Sequence, residues 1–141
     1  MKILLVCTGN TCRSPMAEGI LKRLLPDCDI SSAGIATQDG LSASENALLA
    51  MSEIGIDISA HKSRRISGDD AQNSDLILCM TRGHKMFFNN VKGNTFTLGE
   101  FAGVDEEVSD PYGAELDEYR ACRDQLQRLL EIIAEKIKTQ E

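Results

Sequence analysis

A short loop between a buried strand and a helix constrains this chain more than any other stretch. The apolar run Lys2-Ile3-Leu4-Leu5-Val6 is typical of a buried strand, and apolar residues at helical spacing follow Pro15, which is favoured in a first helical turn. Residues Cys7 to Ser14 therefore connect the strand to the helix. Such a loop directs backbone N–H groups and the helix dipole, worth about half an elementary charge, at one point. The sequence predicts an anion-binding loop between strand 1 and helix 1.

The composition of this loop suggests a thiolate nucleophile beneath a bound phosphate. A helix N-terminus and a nearby arginine favour the thiolate form of a cysteine, and Cys7 has both. Gly9 and Asn10 tolerate the left-handed backbone that turns successive N–H groups inward. Arg13 can grip two phosphate oxygens with its planar fork. Ser14 can donate a hydrogen bond to the thiolate. The candidate substrate-binding residues here are Thr8, Gly9, Asn10, Thr11, Cys12, Arg13 and Ser14.

The rest of the chain alternates between strand and helix patterns. Strands are predicted at 29–33, 75–80 and 95–98, and helices at 15–25, at 42–55 under a Ser42/Glu45 capping box, after Ser67, after Thr81 and from Ala114 onward. Residues 56–66 are interpreted as a connector and 99–109 as an acidic loop. This alternation predicts one α/β domain, residues 1–141, with a central four-stranded parallel sheet and helices on both faces. Ligands bind beyond the carboxyl ends of such strands, where Cys7 lies.

Charge and hydropathy exclude several classes of function. The formal net charge of −7 argues against nucleic acid or an anionic membrane as the main partner. The chain shows neither a signal peptide nor the run of about 20 apolar residues that a membrane span needs. We therefore expect a soluble, cytoplasmic protein. The sequence does not determine the oligomeric state, and a monomer is favoured.

The five cysteines are predicted to be thiols. Their odd number and irregular spacing disfavour a disulfide framework. Cys28, Cys79 and Cys122 lie beside apolar patterns and are interpreted as structural. Cys7 and Cys12 are not spaced like a pair of zinc ligands, and no histidine is adjacent. The sequence predicts no metal and no cofactor.

A second motif lies about a hundred residues beyond the loop. Asp110 begins the run Asp110-Pro111-Tyr112. Asp-Pro commonly starts a turn, so Asp110 is either an ordinary turn residue or a general acid. Tyr112 is either a packed turn aromatic or a wall of a substrate cleft.

Together the two motifs resemble a known family. The run from Val6 to Glu18 is similar to the low-molecular-weight protein-tyrosine phosphatases, and Asp110-Pro111-Tyr112 resembles their general-acid loop. The likeness covers nearly the whole chain. It implies that Cys7 attacks phosphorus, that Asp110 acts first as acid and then as base, and that Arg13 holds the transition-state charge. Phosphorylated proteins would be the substrates.

The same resemblance assigns further residues. Asn10 and Ser14 would shape the loop, Tyr112 would line the cleft, and His61 resembles a histidine that braces the loop asparagine, although it can also be an ordinary connector residue. His84 is predicted to lie on the surface.

Thr11 bears on the substrate. Tyrosine-directed members commonly carry isoleucine before the second loop cysteine, whereas the arginine-phosphatase branch carries threonine, as here. A small polar side chain could admit and orient a guanidinium. The resemblance therefore favours phosphoarginine, with phosphotyrosine as the alternative. Thr11 can also be a plain β-branched loop residue.

The sequence disfavours two other functions and leaves one regulatory role open. Arsenate reduction needs a close relay of cysteines, and none follows Cys79 until Cys122. A non-catalytic phosphate-binding module is expected to lack either the nucleophile or the acid, whereas Cys7 and Asp110 are both present. Cys12 is either a packing residue or a thiol that traps oxidised Cys7 as a disulfide.

Overall fold

The computed structural model describes residues 1–88 and 93–140, which form a parallel sheet flanked by helices. The strands are β1 (Lys2–Cys7), β2 (Asp29–Gly34), β3 (Leu76–Cys79) and β4 (Thr95–Thr97). Their order in the sheet is β2-β1-β3-β4, and every pairing is parallel. The predicted four-stranded parallel sheet is confirmed.

The helices of the described residues follow the strands in alternation. They are α1 (Arg13–Leu24), α2 (Glu45–Ser52), α3 (Gly68–Asn73), α4 (Arg82–Lys85), α5 (Leu98–Ala102) and α6 (Leu116–Thr139). The 24-residue α6 carries the longest amphipathic pattern and packs against α1, α2 and α5. It accounts for the apolar periodicity at the end of the sequence.

Helices cover both faces of the sheet, as the alternation predicts. Successive strand residues point to opposite faces, so β1 contributes to two separate apolar clusters. Ile3 and Leu5 belong to the larger cluster, beneath α1, α2 and α6. Leu4 and Val6 belong to the smaller one, against which Ala71 of α3 packs. A fully buried aliphatic side chain of this kind contributes about 2 kcal/mol, so β1 is anchored from both sides.

The acidic segment after β4 is not wholly a loop, because α5 begins it. Thr97 Oγ1 accepts a hydrogen bond from the Glu100 N–H at 3.0 Å, and Glu100 Oε1 accepts one from the Thr97 N–H at 2.9 Å. This capping box starts a helix at Leu98. The predicted loop at 99–109 was wrong there, since the apolar residues around Thr97 obscured the Thr-x-x-Glu spacing.

Two helix starts also differ from the sequence prediction. Ser44, and not Ser42, caps α2, because its Oγ accepts from the Ala47 N–H. Ser42 instead forms an isolated antiparallel bridge with Lys62. Helix α1 begins at Arg13, two residues before Pro15. Arg13 is therefore held in a regular first turn.

The end of β2 touches the loop that follows β1. Gly34 pairs with Cys7 in the sheet. A Cβ atom on Gly34 would lie 2.7 Å from the carbonyl oxygen of Thr8, closer than packed atoms can approach. Glycine is required here, because the two chain segments meet at the edge of the sheet where ligands bind.

Candidate active site

Cys7 lies at the carboxyl end of β1 and is only 2% exposed. Its sulfur lies 2.9 Å from Ser14 Oγ and 3.3 Å from the backbone nitrogen of Asn10, which donates to it. Both groups can donate a hydrogen bond to the sulfur, so Cys7 is held as an acceptor at the base of the loop.

The side chain of Asn10 determines the direction of these hydrogen bonds. The Arg64 N–H donates to Asn10 Oδ1 at 2.8 Å, which fixes the orientation of the amide. Asn10 Nδ2 then donates to Ser14 Oγ at 2.8 Å and to Ser32 Oγ at 2.9 Å. Ser14 thus accepts from Asn10, and its hydroxyl hydrogen is available for the sulfur of Cys7.

The backbone of Asn10 carries the turn in the loop. Asn10 has φ of +56° and is fully buried. Gly9 is not in the left-handed region, so that part of the sequence prediction was wrong and Asn10 alone makes the turn within the loop. His61 Nε2 lies 2.7 Å from the backbone oxygen of Asn10, where the resemblance places a bracing histidine.

Arg13 crosses the floor of the site. It is 4% exposed, and its Nη1 donates to the backbone oxygen of Val108 at 2.9 Å. Its Nη2 donates to Thr8 Oγ1 at 3.3 Å. Its Nε is buried and has no acceptor among residues 1–88 and 93–140. An unpaired buried donor is costly, so this N–H marks a place for an anion.

Asp110 approaches the same site from the distant end of the chain. Its Oδ2 lies 3.6 Å from Nη2 of Arg13, and its side chain is 46% exposed. Its Oδ1 accepts a hydrogen bond from the Tyr112 N–H at 3.0 Å. The carboxyl group is therefore close to the anion site yet in contact with solvent, as proton transfer to a leaving group requires.

A cleft of about 640 Å³ opens between the loop that follows β1 and the loop that carries Asp110. The predicted site residues that line it are Cys7, Thr8, Gly9, Thr11, Cys12, Arg13, Asp110 and Tyr112. Asn10 and Ser14 do not line it. Their side chains turn inward and support the loop, as the resemblance implies. The opposite wall comes from the segment after β2, including Ile35 and Leu41.

The other cysteines have distinct surroundings. Cys12 donates to Ser44 Oγ at 3.4 Å, and its sulfur lies 3.3 Å from the hydroxyl of Tyr119. Burial raises the pKa of Cys79 and of Cys122 to about 12, so both remain protonated thiols near pH 7. Such thiols are poor partners in a disulfide relay. A regulatory disulfide between Cys7 and Cys12 stays a prediction.

His84 is the residue that the sequence reasoning misplaced. It was predicted at the surface, but it is 4% exposed and its Nε2 lies 2.8 Å from Thr8 Oγ1. The residue follows Cys79, the last residue of β3, by five positions. Since ligands gather at the carboxyl ends of parallel strands, this position was the available signal.

Neither metal-binding clusters nor membrane spans occur in the described part of the chain. Within residues 1–88 and 93–140, no group of three or more His, Cys, Asp or Glu side chains is arranged to hold a metal ion. No helix over the same residues is long and apolar enough to cross a membrane.

The fold and the site define a class: a doubly wound α/β domain with a buried cysteine and an arginine at the two ends of the loop between β1 and α1. The family model described as "Low molecular weight phosphotyrosine protein phosphatase" matches residues 2–141. The chain belongs to this family.

Relatives and solved structures agree with this assignment. The protein-arginine-phosphatase of Geobacillus stearothermophilus is 40% identical over 99% of this chain and 98% of its own. A low molecular weight protein-tyrosine-phosphatase of Acinetobacter johnsonii is 43% identical over 78% of this chain and 79% of its own. The solved YwlE arginine phosphatase from Geobacillus stearothermophilus superimposes with a TM-score of 0.92 at 40% identity, covering 98% of this chain and 93% of that one.

Another solved YwlE arginine phosphatase is a cysteine-to-serine mutant whose active-site serine is phosphorylated. It superimposes with a TM-score of 0.93 at 35% identity, covering 98% of this chain and 96% of that one. A phosphorylated residue at the nucleophile's position is consistent with a cysteine-based mechanism in this family.

Proposed function

We propose that this protein is a cysteine-dependent protein phosphatase that hydrolyses phosphoarginine through a phosphocysteine intermediate. One observation carries the proposal: Cys7, the unpaired Nε of Arg13 and the carboxyl group of Asp110 converge on one cleft. A nucleophile, an anion receptor and a proton donor are the groups that phosphoryl transfer by a thiol needs.

In the first step the thiolate of Cys7 attacks phosphorus. An S–P bond forms and the P–N bond to the arginine side chain breaks. Asp110 gives its proton to the departing guanidine nitrogen, so arginine leaves as a charged guanidinium and Asp110 is left as a carboxylate. Arg13 stabilises the charge on the equatorial phosphoryl oxygens, and Ser14 stabilises the sulfur whenever it carries negative charge.

In the second step water completes the turnover. The carboxylate of Asp110 takes a proton from the attacking water, whose oxygen bonds to phosphorus while the S–P bond breaks. Phosphate leaves, and Cys7 is again a thiolate beside protonated Asp110. The exposed side chain of Asp110 allows both the leaving group and the water to reach it.

The choice of phosphoarginine rests on Thr11. Thr11 lines the cleft and is half-buried, so its side chain can contact the group that carries the phosphate. A hydroxyl can accept a hydrogen bond from a guanidinium, whereas isoleucine at this position would favour an apolar ring. The names of two relatives that align over nearly the whole chain, arginine phosphatases at 40% and 35% identity, support the same choice.

A direct comparison of substrates tests the proposal. Peptides that carry phosphoarginine, phosphotyrosine or phosphoserine at the same position are supplied at equal concentration, and phosphate release is measured. We expect the highest kcat/KM with phosphoarginine. Faster release from phosphotyrosine would instead make the chain a protein-tyrosine phosphatase with the same mechanism. Cys7→Ser should abolish release in either case and leave the fold intact.

Substitution of Thr11 tests whether this residue determines the choice between phosphoarginine and phosphotyrosine. Thr11→Ile should raise kcat/KM for phosphotyrosine relative to kcat/KM for phosphoarginine. An unchanged ratio would show that Thr11 does not determine the substrate. Thr11→Val is the matched control, because it keeps the shape of threonine and removes only the hydroxyl. If Thr11→Val moves the ratio as far as Thr11→Ile, polarity selects the substrate; if it does not, side-chain size does.

Partners and location follow from the same proposal. The substrates are phosphorylated proteins, and the protein acts as a monomer in the cytoplasm. All five cysteines are free, which suits a reducing compartment. Sedimentation of the purified protein tests the monomer directly.

A further inference from the structure

The mechanism above does not use His84, yet this side chain contacts the site through one intermediary. Its Nε2 lies 2.8 Å from Thr8 Oγ1, and Thr8 Oγ1 also accepts from Nη2 of Arg13 at 3.3 Å. The other ring nitrogen, Nδ1, lies 3.2 Å from the hydroxyl of Thr81, which also caps α4. His84 is thereby fixed at both nitrogens, with Thr8 between it and Arg13.

His84 is a neutral imidazole near pH 7. Burial and the positive charge of Arg13 lower its pKa to about 4, while the carboxylates of Asp110 and Glu107 act in the opposite direction. A neutral ring has one donor and one acceptor nitrogen, and two threonine hydroxyls meet them. In either tautomer of His84, Thr8 Oγ1 keeps one lone pair that can accept the hydrogen bond from Nη2 of Arg13.

The guanidinium of Arg13 needs this second anchor. Its Nη1 is held by the carbonyl of Val108, and its Nη2 by Thr8. Two fixed points set the plane of the group and leave Nε for the anion. Asp110 Oδ2 stands 3.6 Å from the same Nη2. If Thr8 rotated away, Nη2 would be free to close on Asp110 and the guanidinium would turn from the phosphate site.

We infer that His84 is a positioning residue that holds the hydroxyl of Thr8 against Arg13 and so keeps the guanidinium directed at phosphate. The inference rests on the proposed function, in which Arg13 binds the oxygens of the phosphoryl group while it is transferred to Cys7. It assigns to the four-residue helix α4 a direct part in assembling the phosphate site.

Two substitutions of His84 separate positioning from packing. The terminal amide of glutamine reaches the position of Nε2 and keeps the hydrogen bond to Thr8, whereas that of asparagine reaches only the position of Nδ1 and keeps the one to Thr81. The dissociation constant for inorganic phosphate and kcat/KM are measured for each. We expect His84→Asn to weaken phosphate binding and lower kcat/KM by about tenfold, and His84→Gln to stay within about threefold of wild type.

Thr8→Val tests whether His84 acts on Arg13 through the hydroxyl of Thr8. This substitution removes the hydroxyl and keeps the shape, and it should weaken phosphate binding as much as His84→Asn does. The double variant should be no weaker than either single one, because both interrupt the same contact. Additive losses, or wild-type phosphate affinity in His84→Asn, would overturn the inference. If His84→Asn fails to fold, wild-type phosphate affinity in Thr8→Val overturns it equally.

The outcome is distinct from failure of the proposed function. If wild-type protein binds inorganic phosphate but hydrolyses none of the phosphopeptides, the proposed function fails, whereas the response of phosphate affinity to His84 still decides the inference. Melting temperatures of all variants are measured alongside, since a purely structural role would change stability without restoring phosphate affinity in the glutamine variant.

Discussion

The phosphate loop (residues 7–14) and the acid loop (residues 105–112, which include Asp110) meet at one cleft but are built in opposite ways. Asn10 and Ser14 are fully buried and joined to Cys7 by hydrogen bonds. Asp110 and Tyr112, by contrast, are 46% exposed at the side chain and 76% exposed. One half of the site belongs to the core of the protein, and the other lies at its surface. Removing the buried hydrogen-bonding side chains of Asn10 or Ser14 should therefore affect folding and catalysis together, and changes at the exposed tip of the acid loop should affect catalysis alone.

The acid loop is nevertheless anchored at its base. Val108 is fully buried, and its backbone accepts from Arg13 and donates to Met80. Two residues that precede Val108, Asp105 and Glu107, form ion pairs with Arg82. Exposed pairs of this kind contribute little to stability. The base of the loop is thus fixed by burial, while its tip remains open to substrate.

The largest effect is expected from Asp110→Asn. Removing a general acid typically lowers the rate by about 10² to 10⁴-fold, and we expect kcat for a phosphoarginine peptide to fall within that range. Because Asp110 is exposed, the melting temperature should not change. Asp105→Asn on the same loop is the matched control and should retain kcat. If Asp110→Asn kept the kcat of the wild-type protein, Asp110 would not be the general acid.

Asn10→Ala tests the buried half of the site, which the phosphate loop forms. It would leave the Arg64 N–H without its acceptor and place alanine in a left-handed conformation, for a combined loss of about 3 kcal/mol in the free energy of unfolding. Phosphate release should fall as well. Asn46→Ala is the control, since Asn46 makes one hydrogen bond of 3.3 Å, and it should cost less than about 1 kcal/mol. Equal losses in urea unfolding would mean that the buried hydrogen bonds of Asn10 contribute no more to stability than the single, longer hydrogen bond of Asn46.

The sequence predicted the parts of the site that local pattern encodes. A β-branched and leucine-rich run before Cys7 specified β1, and the helical spacing after it specified α1, so the loop between them could be located. Alternation of elements then predicted the parallel sheet. Asp110 required the family resemblance, because an Asp-Pro pair is by itself an ordinary turn signal.

Contacts between distant segments were not encoded locally. His84 was misplaced because its partner, Thr8, lies 76 residues earlier and the two meet only when β1 pairs with β3. The amide of Asn10 is fixed by Arg64 from a connector without periodicity. Helix α5 was missed for a different reason, since its capping box lay within an apolar run that also fits a strand.

A smaller, pH-dependent effect should separate the buried surroundings of the site from the exposed ion pairs of the surface. The pKa of His84 is about 4 in the folded protein and about 6.5 when unfolded, so the unfolded chain binds more protons between these values. Stability is therefore fully present above pH 6.5 and is lost as the pH falls toward 4. Glu53, whose pKa is held at about 2 by hydrogen bonds from Arg120 and Arg123, affects stability only below about pH 4.5.

The measurement is the melting temperature between pH 7 and pH 5. Wild-type protein should melt several degrees lower at pH 5, and His84→Gln should show a smaller decline, because glutamine does not titrate in this range. An equal decline in both proteins would mean that another group carries the pH dependence.

The smallest effect is expected from Tyr112→Ala. The ring of Tyr112 lines the cleft but is mostly exposed, so its loss should raise KM for a phosphopeptide about threefold and leave stability unchanged. The backbone N–H of residue 112 still donates to Asp110, so kcat should stay close to wild type. Tyr112→Phe keeps the ring and should keep the KM. A large fall in kcat for Tyr112→Ala would instead show that the ring, and not the backbone, sets the position of Asp110, and the tip of the acid loop would then be as dependent on packing as the phosphate loop.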